Sequence, residues 1–429
     1  MVGLSSIKRV VSVFILRTSE NGCKQVALFR RCDTMPSFPS HYAAVSGSIE
    51  SSDASPLGAA ARELDEETTI CSETLGASSS NGGVGKDRLR TILRQGLHVD
   101  VPMSRSGVIR VYPFAFELPR GVEDFDMRGT EHDKMTFMRI DEFMESDARF
   151  VPMLKRAFHH AFCGSFIDLP IPIREWEGDR VNGAAHLARL AVSLANSHHD
   201  TPICIGKHDT ISAALSIAML RPSMVPIVNA MAEFDAHARR EGPEAARIAT
   251  LSSLDSEVKA SVDLAVRNVL SYIEKMRSDS PAQIVLGTFS RSSTLKSILS
   301  QVLDAVGQSP VPLTVLCSQS SPGEEGELMA NDVAGAECVS DRAFLERIES
   351  GAIHLVLIGA DSITPREIAN KVGTRNLAEA CRRAGVPVYC CTDRSKLWND
   401  IYPPSLEPIF EIVPIKLIDR HRVLVPERS

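Results

Sequence analysis

The chain has 429 residues, with 47 lysines and arginines, 54 aspartates and glutamates, and a formal net charge of −7. At about 100–200 residues per domain, this length predicts about two or three domains, each able to bury its own core. Hydrophobic residues make up 44% of the chain, as in soluble globular proteins, and the weak acidity argues against nucleic-acid binding as the main role.

The ten cysteines are scattered and include no Cys-x-x-Cys pair. A zinc ribbon and a disulfide scaffold are therefore both poorly supported, and reduced thiols in a cytosolic protein are the simplest interpretation. No apolar run approaches the roughly 18 residues that span a bilayer. We therefore expect a cytoplasmic protein without membrane association or direct nucleic-acid binding.

The first 165 residues alternate short apolar runs with turns and are predicted to form one domain. β-branched and aromatic residues predict strands at 9–16, 25–29, 42–45 and 108–116. A Ser/Gly stretch at 76–83 predicts a flexible surface loop, and apolar spacing predicts a helix over 141–161. Pro170, Pro172 and the polar stretch through Asn182 predict a linker to the next domain.

Residues 172–429 are predicted to form a second, unlike domain. Its first part, 172–280, reads as helices at 184–196, 209–220, 225–240 and 252–277. Its second part, 281–429, alternates predicted strands at 284–286, 313–316, 354–358 and 386–390 with helices at 292–305, 342–349 and 374–384. This alternation predicts a parallel sheet covered on both faces, so the overall fold class is α/β and α+β.

The most informative segment of the first domain is an acidic helix. Ser55 can cap it and Pro56 suits its first turn. Glu63, Glu66 and Glu67 are spaced to project from one helix face, where like charges repel unless a cation neutralises them. Carboxylate oxygens suit Mg²⁺ or Mn²⁺, which commonly bridge protein carboxylates and substrate phosphates. The alternative is a solvated acidic helix face.

The residues around this cluster resemble the Nudix box. Gly47 matches its opening glycine, the run Arg62-Glu63-Leu64-x-Glu66-Glu67 its core, and Ile70 its closing apolar position. The resemblance covers about residues 7–160. It implies a Nudix α/β/α sandwich that hydrolyses nucleoside diphosphates linked to another moiety. It also implies that Glu63, Glu66 and Glu67 hold a divalent metal and that Arg62 orients the acidic cluster.

Three residues depart from the Nudix pattern. Asp53 stands where glutamate is usual, one extra residue separates it from Arg62, and Thr69 replaces the late glycine. The extra residue precedes the helix and leaves the helical spacing intact. Glu131 is a candidate for an additional base or ligand, or else a surface acid.

In the second domain, Asp361 follows an apolar strand, where open α/β sheets bind ligands. A short loop then leads through Asn370 and Lys371 to a helix, whose opening amides, with Lys371, could receive a phosphate. Alternatively, Gly373-Thr374 is simply a turn and cap, and Asp361 a loop acid.

This region resembles the initiation factor 2B-related family. That family includes the α, β and δ regulatory subunits, methylthioribose-1-phosphate isomerase and ribose-1,5-bisphosphate isomerase. The resemblance covers about 174–420 and implies a helical subdomain followed by a Rossmann-like sheet, often dimeric through the latter. It rests on Gly359-Ala360-Asp361, Asn370-Lys371-Val372-Gly373-Thr374, Gly385-Val386-Pro387-Val388-Tyr389, Asp179-Arg180-Val181-Asn182-Gly183, Arg221-Pro222-Ser223-Met224 and Thr288-Phe289-Ser290-Arg291.

The isomerases of this family require a cysteine and an aspartate to move protons between C1 and C2. By position, Asp361 fills the aspartate role, but Thr288 stands at the cysteine position. Cys204 or Cys317 could reach the pocket from elsewhere, although buried thiols usually act as small hydrophobes. Asn370 and Lys371 are candidates to bind a phosphorylated sugar or nucleotide.

The sequence thus predicts a metal-dependent Nudix-type hydrolase of a nucleoside diphosphate-linked substrate, fused to a domain that binds a phosphorylated ligand or partner. The alternatives are an aldose–ketose sugar-phosphate isomerase and a non-catalytic translation-initiation regulatory protein. Mg²⁺ or Mn²⁺ is the expected cofactor. The expected partners are a nucleoside diphosphate-type or sugar-phosphate small molecule, a second copy of the chain bound through the C-terminal domain, and a translation initiation factor.

Overall fold

The computed structural model of the chain describes residues 7–70, 94–102, 107–118, 125–162, 171–179, 183–200, 203–204, 210–278, 282–307, 311–401, 404, 406–407, 409–418 and 422–426. The loop predicted at 76–83 lies outside these residues. The chain divides into two compact units, the first comprising Met1–Ile171 with His198–Pro222 and the second Pro172–Ser197 with Ser223–Ser429. No helix in the described part of the chain is both long enough and apolar enough to cross a membrane.

The first unit is built around a mixed sheet in which β1 occupies the centre. The strand order is β3-β2-β1-β7-β5, with β4 paired to β1, β6 to β7 and β8 to β2. Its elements are β1 (Ile7–Thr18), β2 (Lys24–Arg31), β3 (Tyr42–Ala43), β4 (Val45–Ser48), α1 (Pro56–Glu67), β5 (Arg94–Gln95), β6 (Val99–Pro102), β7 (Val108–Glu117), β8 (His132–Arg139), α2 (Ile140–Glu145) and α3 (Leu154–Phe162), and later β9 (Ile203–Cys204), β10 (Thr210–Ile211) and α6 (Ala213–Leu220).

Both faces of this sheet are buried at its centre, because side chains alternate along β1 and residues 11–16 are all buried. Val13 and Phe14 point to opposite faces, yet both are fully buried. The ring of Phe14 packs edge-on against Phe158 of α3, with 5.2 Å between centroids. α1 packs against β1 and β4. The first unit is therefore a helix–sheet–helix sandwich, and the fold class predicted for it is confirmed.

The single helix predicted over 141–161 is wrong, because two helices with an extended segment between them occupy this region. The backbone N–H of Tyr42 donates to the carbonyl of Arg149 (2.7 Å), and the N–H of Val151 donates to the carbonyl of Tyr42 (3.0 Å). These bonds draw the chain to the edge of β3. Pro152 and the positive φ of Met153 (63°) then separate this edge from α3.

The predicted linker around 170–182 is also partly helical. Helix α4 spans Ile171–Gly178 and buries Ile173 and Trp176. The Trp176 indole N–H donates to the carbonyl of Leu187 (3.0 Å) on α5 (Ala184–Ser197). Apolar side chains at helical spacing stabilise a helix here despite the prolines. Pro172 lies in its first turn, where proline is tolerated.

The second unit joins helices to a six-stranded sheet. The sheet has the order β13-β12-β11-β14-β17-β19, and all of its strand pairs are parallel. A small antiparallel sheet has the order β15-β16-β18. The elements after α4 and α5 are α7 (Val225–Glu241), α8 (Pro243–Ser278), β11 (Ile284–Phe289), α9 (Ser293–Val306), β12 (Leu313–Ser318), α10 (Glu325–Asp332), β13 (Glu337–Val339), α11 (Asp341–Glu349), β14 (Leu355–Ile358), β15 (Ser362–Ile363), β16 (Glu367–Lys371), α12 (Thr374–Ala384), β17 (Val388–Cys391), β18 (Phe410–Pro414) and β19 (Val423–Leu424).

Two apolar clusters cover the two faces of the parallel sheet. Leu355 and Leu357 of β14 pack with residues of α8 and α9, whereas Val356 and Ile358 pack with residues of α11 and α12. Because alternate residues of β14 enter opposite cores, the strand is apolar throughout. Because both faces of this sheet are covered by apolar residues, polar groups are expected in the loops that follow its strands.

Candidate functional site

Helix α1 carries the predicted acidic cluster. Ser55 caps it by accepting a hydrogen bond from the backbone N–H of Gly58 (3.1 Å), and Pro56 is its first residue. Ala60 and Leu64 are fully buried, which fixes the rotation of the helix against the sheet. The local sequence therefore determines which helix face the acidic residues occupy.

The three glutamates of α1 do not share one environment. Glu63 and Glu67 are each only 7% exposed, whereas the side chain of Glu66 is 58% exposed. The buried pair thus lies on the sheet side of the helix and Glu66 at its solvent edge. A purely solvated acidic face, the alternative interpretation of the sequence, does not describe this arrangement.

Arg62 lies at the centre of the cluster. Its Nη1 donates to Glu63 (2.8 Å) and to Glu66 (3.3 Å), and its Nη2 donates to the carbonyl of Ser48 (2.9 Å). It also binds both carboxylate oxygens of Asp53, at 3.2 and 3.1 Å. The hydrogen bond from Arg62 holds the pKa of Asp53 below its usual range. Asp53 is shorter than the usual glutamate, and one extra residue separates it from Arg62, yet it still binds Arg62.

Gly47 makes room for the Glu63 carboxylate. A Cβ built at Gly47 would lie 1.8 Å from Oε1 of Glu63, much closer than any real contact. Gly47 is paired to Val11 in the sheet, so its backbone cannot move aside without disturbing β1. The opening glycine of the motif is therefore required by close approach rather than by its backbone angles.

Glu67 has partners outside the motif. Its Oε1 accepts from the backbone N–H of Ser46 (3.4 Å), and its Oε2 lies 3.3 Å from Nδ1 of His132 without making a hydrogen bond. His132 is buried at the start of β8, with its ring 5.5 Å from that of Phe29. Sequence reasoning singled out the adjacent Glu131, which is exposed, and missed His132. Only the alternation of side chains along β8 could have indicated it.

The electrostatics of this cluster fit a hard divalent cation. Burial, together with the charges of Glu67 and Glu66, raises the pKa of Glu63 to about 7 against the opposing effect of Arg62. The buried Oε2 of Glu67 has no hydrogen-bond donor. Oxygen donors of this kind suit Mg²⁺ or Mn²⁺. In the described ranges, however, no three acidic, histidine or cysteine side chains converge on one metal position, since Arg62 draws Glu63 and Glu66 to itself.

The helix ends without the late glycine of the motif. Thr68 leaves α1 in extended backbone (φ −138°), so no positive φ is needed there. Thr69 then makes two hydrogen bonds to the backbone of Asp126: its N–H donates to the carbonyl of Asp126 (2.9 Å), and its side-chain hydroxyl accepts from the Asp126 N–H (2.9 Å). Threonine is therefore compatible with this helix end, and the replacement of the late glycine by Thr69 leaves the helix unchanged.

In the second unit, Asp361 follows β14 at the carboxyl edge of the parallel sheet, as predicted. Its backbone N–H donates to the carbonyl of Ala369 (2.9 Å). Desolvation raises the pKa of the Asp361 carboxyl, and the charges of Lys396, Glu325, Glu407 and Lys371 also act on it. The structure therefore brings Asp361 into the same electrostatic neighbourhood as Lys371.

Asn370 and Lys371 end strand β16, although the sequence predicted a loop opening a helix. Residues 367–371 pair with β18, and this antiparallel pairing was not visible in the local pattern. The Lys371 ammonium is buried, with a side chain 4% exposed, and donates to Oε1 of Glu325 (2.8 Å). The predicted phosphate-binding cation thus has a carboxylate partner.

A carboxylate also occupies the start of α12. Oε1 of Glu411 accepts from the backbone N–H groups of Gly373 (2.7 Å) and Arg375 (2.9 Å). Gly373 has φ 103°, and a Cβ there would lie 2.8 Å from the ring of Phe289. The amide of Asn370 donates to the Thr374 hydroxyl (3.1 Å). The amides predicted to receive a phosphate are therefore already bonded to a protein anion.

Thr288, at the cysteine position, is buried on β11, and its hydroxyl has no hydrogen-bond partner. Cys317 lies beside it on β12, but burial raises the pKa of its thiol to about 12, so it is not a thiolate. The side chain of Cys204, the other cysteine considered, lies outside the described residues. Cys390, whose thiol lies 3.7 Å from the carbonyl of Gly359, is fully buried, and its pKa is also raised to about 12.

Two family models match the chain. The Initiation factor 2 subunit family matches residues 182–422, and the NUDIX domain matches residues 7–155. The chain therefore belongs to the Initiation factor 2 subunit family and carries a NUDIX domain, a hydrolase domain, ahead of that region. Both resemblances drawn from the sequence are confirmed.

Among curated relatives, methylthioribose-1-phosphate isomerases match part of the chain. The protein from Oryza sativa subsp. indica is 31% identical over 99 residues, which is 22% of this chain and 26% of the relative. That from Dechloromonas aromatica is 34% identical over 92 residues, which is 20% of this chain and 25% of the relative. The matched segment thus spans about a quarter of the length of these relatives.

Among solved structures, the translation initiation factor eIF-2B of Pyrococcus horikoshii OT3 matches with a TM-score of 0.46 and 18% identity. The match covers 58% of this chain and 94% of that chain.

Proposed function

We propose that the first unit is a divalent-metal-dependent hydrolase of a nucleoside diphosphate linked to another moiety. The observation that carries this proposal is the Arg62 network, which gathers Asp53, Glu63 and Glu66 beside the buried Glu67. An arginine with three acidic partners on one short helix and its preceding loop is more than a structural helix needs. The excess of negative charge favours a cation together with a phosphorylated substrate.

Each residue of the network has a distinct task in this proposal. Glu63, Glu66 and Glu67 would hold Mg²⁺ or Mn²⁺, which when bound neutralises pyrophosphate charge and activates water. Arg62 sets the direction of the Glu63 and Glu66 side chains while its other nitrogen atoms are anchored on Asp53 and on the β4 backbone. Gly47 leaves the space that the Glu63 carboxylate occupies.

A substrate panel tests this proposal. ADP-ribose, NADH, dinucleoside polyphosphates and coenzyme A are incubated with the full chain and Mg²⁺ or Mn²⁺, and the released phosphate compounds are separated by chromatography. We expect turnover of at least one member and a loss of about a hundredfold or more in Glu66→Gln, because metal-borne charge stabilisation contributes several kcal/mol.

Asp65→Asn is the matched control, because it removes an acid from the same helix that accepts none of the hydrogen bonds described for Arg62, and it should retain activity. No turnover of any panel member, or equal turnover by the wild type and Glu66→Gln, contradicts the proposal. Addition of EDTA to the wild type should abolish activity and excess Mg²⁺ should restore it.

For the second unit we propose binding of a phosphorylated ligand or protein partner rather than isomerisation. Thr288 at the cysteine position argues against isomerisation, and so do Glu325 and Glu411, which already bind Lys371 and the α12 amides that would hold the phosphate of a sugar substrate. We also propose domain boundaries of 1–165 and 172–429, a homodimer formed through the second domain, and a cytoplasmic location. A translation initiation factor is the proposed protein partner, and co-purification with such a factor is the test.

Isomerisation remains a second candidate function, because the curated relatives that match the chain are methylthioribose-1-phosphate isomerases and because Asp361 occupies the aspartate position. Methylthioribose 1-phosphate and ribose 1,5-bisphosphate are incubated with the full chain, and ketose formation is followed by NMR. We expect no ketose. Ketose formation that is lost in Asp361→Asn would overturn the non-catalytic assignment of the second unit.

A further inference from the structure

The second unit contains a pocket that neither proposed site uses. It has a volume of about 490 Å³ and lies between the carboxyl end of α12, the start of β17 and the segment that follows β18. Asp361 follows the carboxyl end of β14, so this pocket, at the amino end of the neighbouring parallel strand, lies at the opposite edge of the sheet. It is therefore distinct from the region of Asp361, Asn370 and Lys371.

Three cations line the rim of this pocket. Arg382 comes from the last turn of α12, whereas Lys416 and Arg422 come from the other wall. Within the ranges that the structure describes, none of the three forms an ion pair with a carboxylate, although Arg383 beside them pairs with Glu349 (3.1 Å). Among the described residues that line the pocket, every charged side chain is therefore a cation.

Among the described residues, Arg422 acts on two tyrosines and forms no ion pair with a carboxylate. Its positive charge acts on the phenols of Tyr272 and Tyr389, and burial raises the pKa of both. These phenols are therefore neutral at pH 7 and supply no counter-charge. The dipole of α12 accounts for the cation at Arg382, because a positive charge in the last turn of a helix interacts favourably with the helix dipole. Lys416 and Arg422 belong to a different segment, so the dipole does not account for them.

The floor of the pocket is apolar. Val386, Val388 and Ile418 line it and are buried. Clefts of about 300–1,000 Å³ with apolar walls and a few charged groups are typical sites for small ligands. An inorganic anion would use the rim and leave this floor uncovered, whereas a ligand with both an anionic and an apolar or aromatic part would use both.

We propose that this pocket binds a phosphorylated small molecule with an aromatic or apolar part, of the class of a nucleoside monophosphate. The phosphate lies among Arg382, Lys416 and Arg422, and the apolar part lies on Val386, Val388 and Ile418. The hydrolysis proposed for the first unit releases compounds of this class, but the pocket stands on its own geometry and does not depend on that activity.

The test is calorimetric titration of the full chain with AMP in EDTA, which keeps divalent metal out of the first unit. Because hydrogen bonds to charged groups are strong, the triple variant Arg382→Ala/Lys416→Ala/Arg422→Ala should raise the Kd for AMP at least tenfold. Lys416→Glu, a single change at an exposed residue, should raise it at least fivefold, so the test does not depend on the triple variant folding.

Arg383→Ala is the matched control, since Arg383 belongs to the same helix turn but not to the pocket, and it should leave the Kd unchanged. Inorganic phosphate and adenosine, titrated separately, should each bind at least tenfold more weakly than AMP. The proposal is overturned by AMP binding that survives Lys416→Glu, by equal affinity for phosphate and AMP, or by the absence of AMP binding at millimolar concentration.

Discussion

The acidic helix of the first unit and the Asp361 region of the second differ in how their charges are balanced. On α1, one guanidinium faces three carboxylates, and the buried Oε2 of Glu67 has no donor. In the second unit, Lys371 is paired with Glu325, and Glu411 occupies the helix amides. An unbalanced cluster would be stabilised by a further cation, whereas a balanced one is stable without a ligand. This difference is why we place hydrolysis in the first unit.

The largest effect is expected from Gly47→Ala. Its Cβ would lie 1.8 Å from Oε1 of Glu63, so the carboxylate must leave its position. Displacing this proposed metal ligand should lower kcat/KM about a thousandfold, equivalent to about 4 kcal/mol of transition-state stabilisation. Steady-state hydrolysis of the best panel substrate measures it.

Gly58→Ala is the matched control, because a Cβ at Gly58 has only Ser55 Oγ, at 3.7 Å, as a neighbour. Since alanine favours a helix over glycine, this variant should keep its activity and gain up to about 1 kcal/mol of stability. If Gly47→Ala were as active as Gly58→Ala, Glu63 would not be a metal ligand, and the unbalanced cluster would be only structural.

In the second unit, the corresponding change is Glu325→Ala, and its effect should fall on stability. It leaves the Lys371 ammonium, whose side chain is 4% exposed, without its carboxylate. Removing one partner of a fully buried pair costs about 3–5 kcal/mol. Because the Glu325 side chain is 31% exposed, we expect a smaller loss of about 2–3 kcal/mol in the free energy of unfolding. Urea denaturation measures it.

Glu327→Ala changes an exposed acid on the same helix and should have little effect. The double variant Glu325→Ala/Lys371→Met removes both charges and should recover most of the loss. Recovery would identify Lys371 as one half of a structural ion pair. A Glu325→Ala variant as stable as the wild type would mean that Lys371 is free to receive an external anion, and the two regions would then be alike.

A smaller effect is expected at Thr288, where the hydroxyl is buried without a partner. Thr288→Val keeps the shape and removes the unsatisfied group, so the free energy of unfolding should rise by about 1 kcal/mol. Ser297→Val, which changes a residue on the surface of α9, should not increase stability. A loss of stability in Thr288→Val would indicate that the hydroxyl has a partner such as a bound ligand.

Local sequence predicted the elements of these regions better than their charge partners. The cap at Ser55 and Pro56 mark the start of α1 without tertiary information, but the spacing placed Glu63, Glu66 and Glu67 on one face and did not separate the buried pair from Glu66. In contrast, His132 reaches Glu67, and Glu411 reaches the start of α12, through pairings between distant strands.

The same limit explains two wrong elements. Residues 141–161 have helical spacing, but bonds to Tyr42 hold their middle in extended backbone. Residues 367–371 read as a loop because their partner strand β18 lies about 40 residues further along the chain. Apolar periodicity records burial along one element, whereas these contacts depend on which elements become neighbours in the folded chain.

The smallest predicted effect is the pH dependence of the Arg62–Asp53 pair. Because the pKa of Asp53 is lowered in the folded state, its ionised form stabilises the fold above the unfolded pKa of about 4, and this stabilisation is lost as the pH falls through the folded value. The difference in unfolding free energy between the wild type and Asp53→Asn should therefore be largest near neutral pH and shrink between about pH 4 and pH 2. Denaturation at several pH values measures it. A difference independent of pH would mean that Asp53 acts through its turn geometry alone, and the charge imbalance on α1 would then rest on the three glutamates.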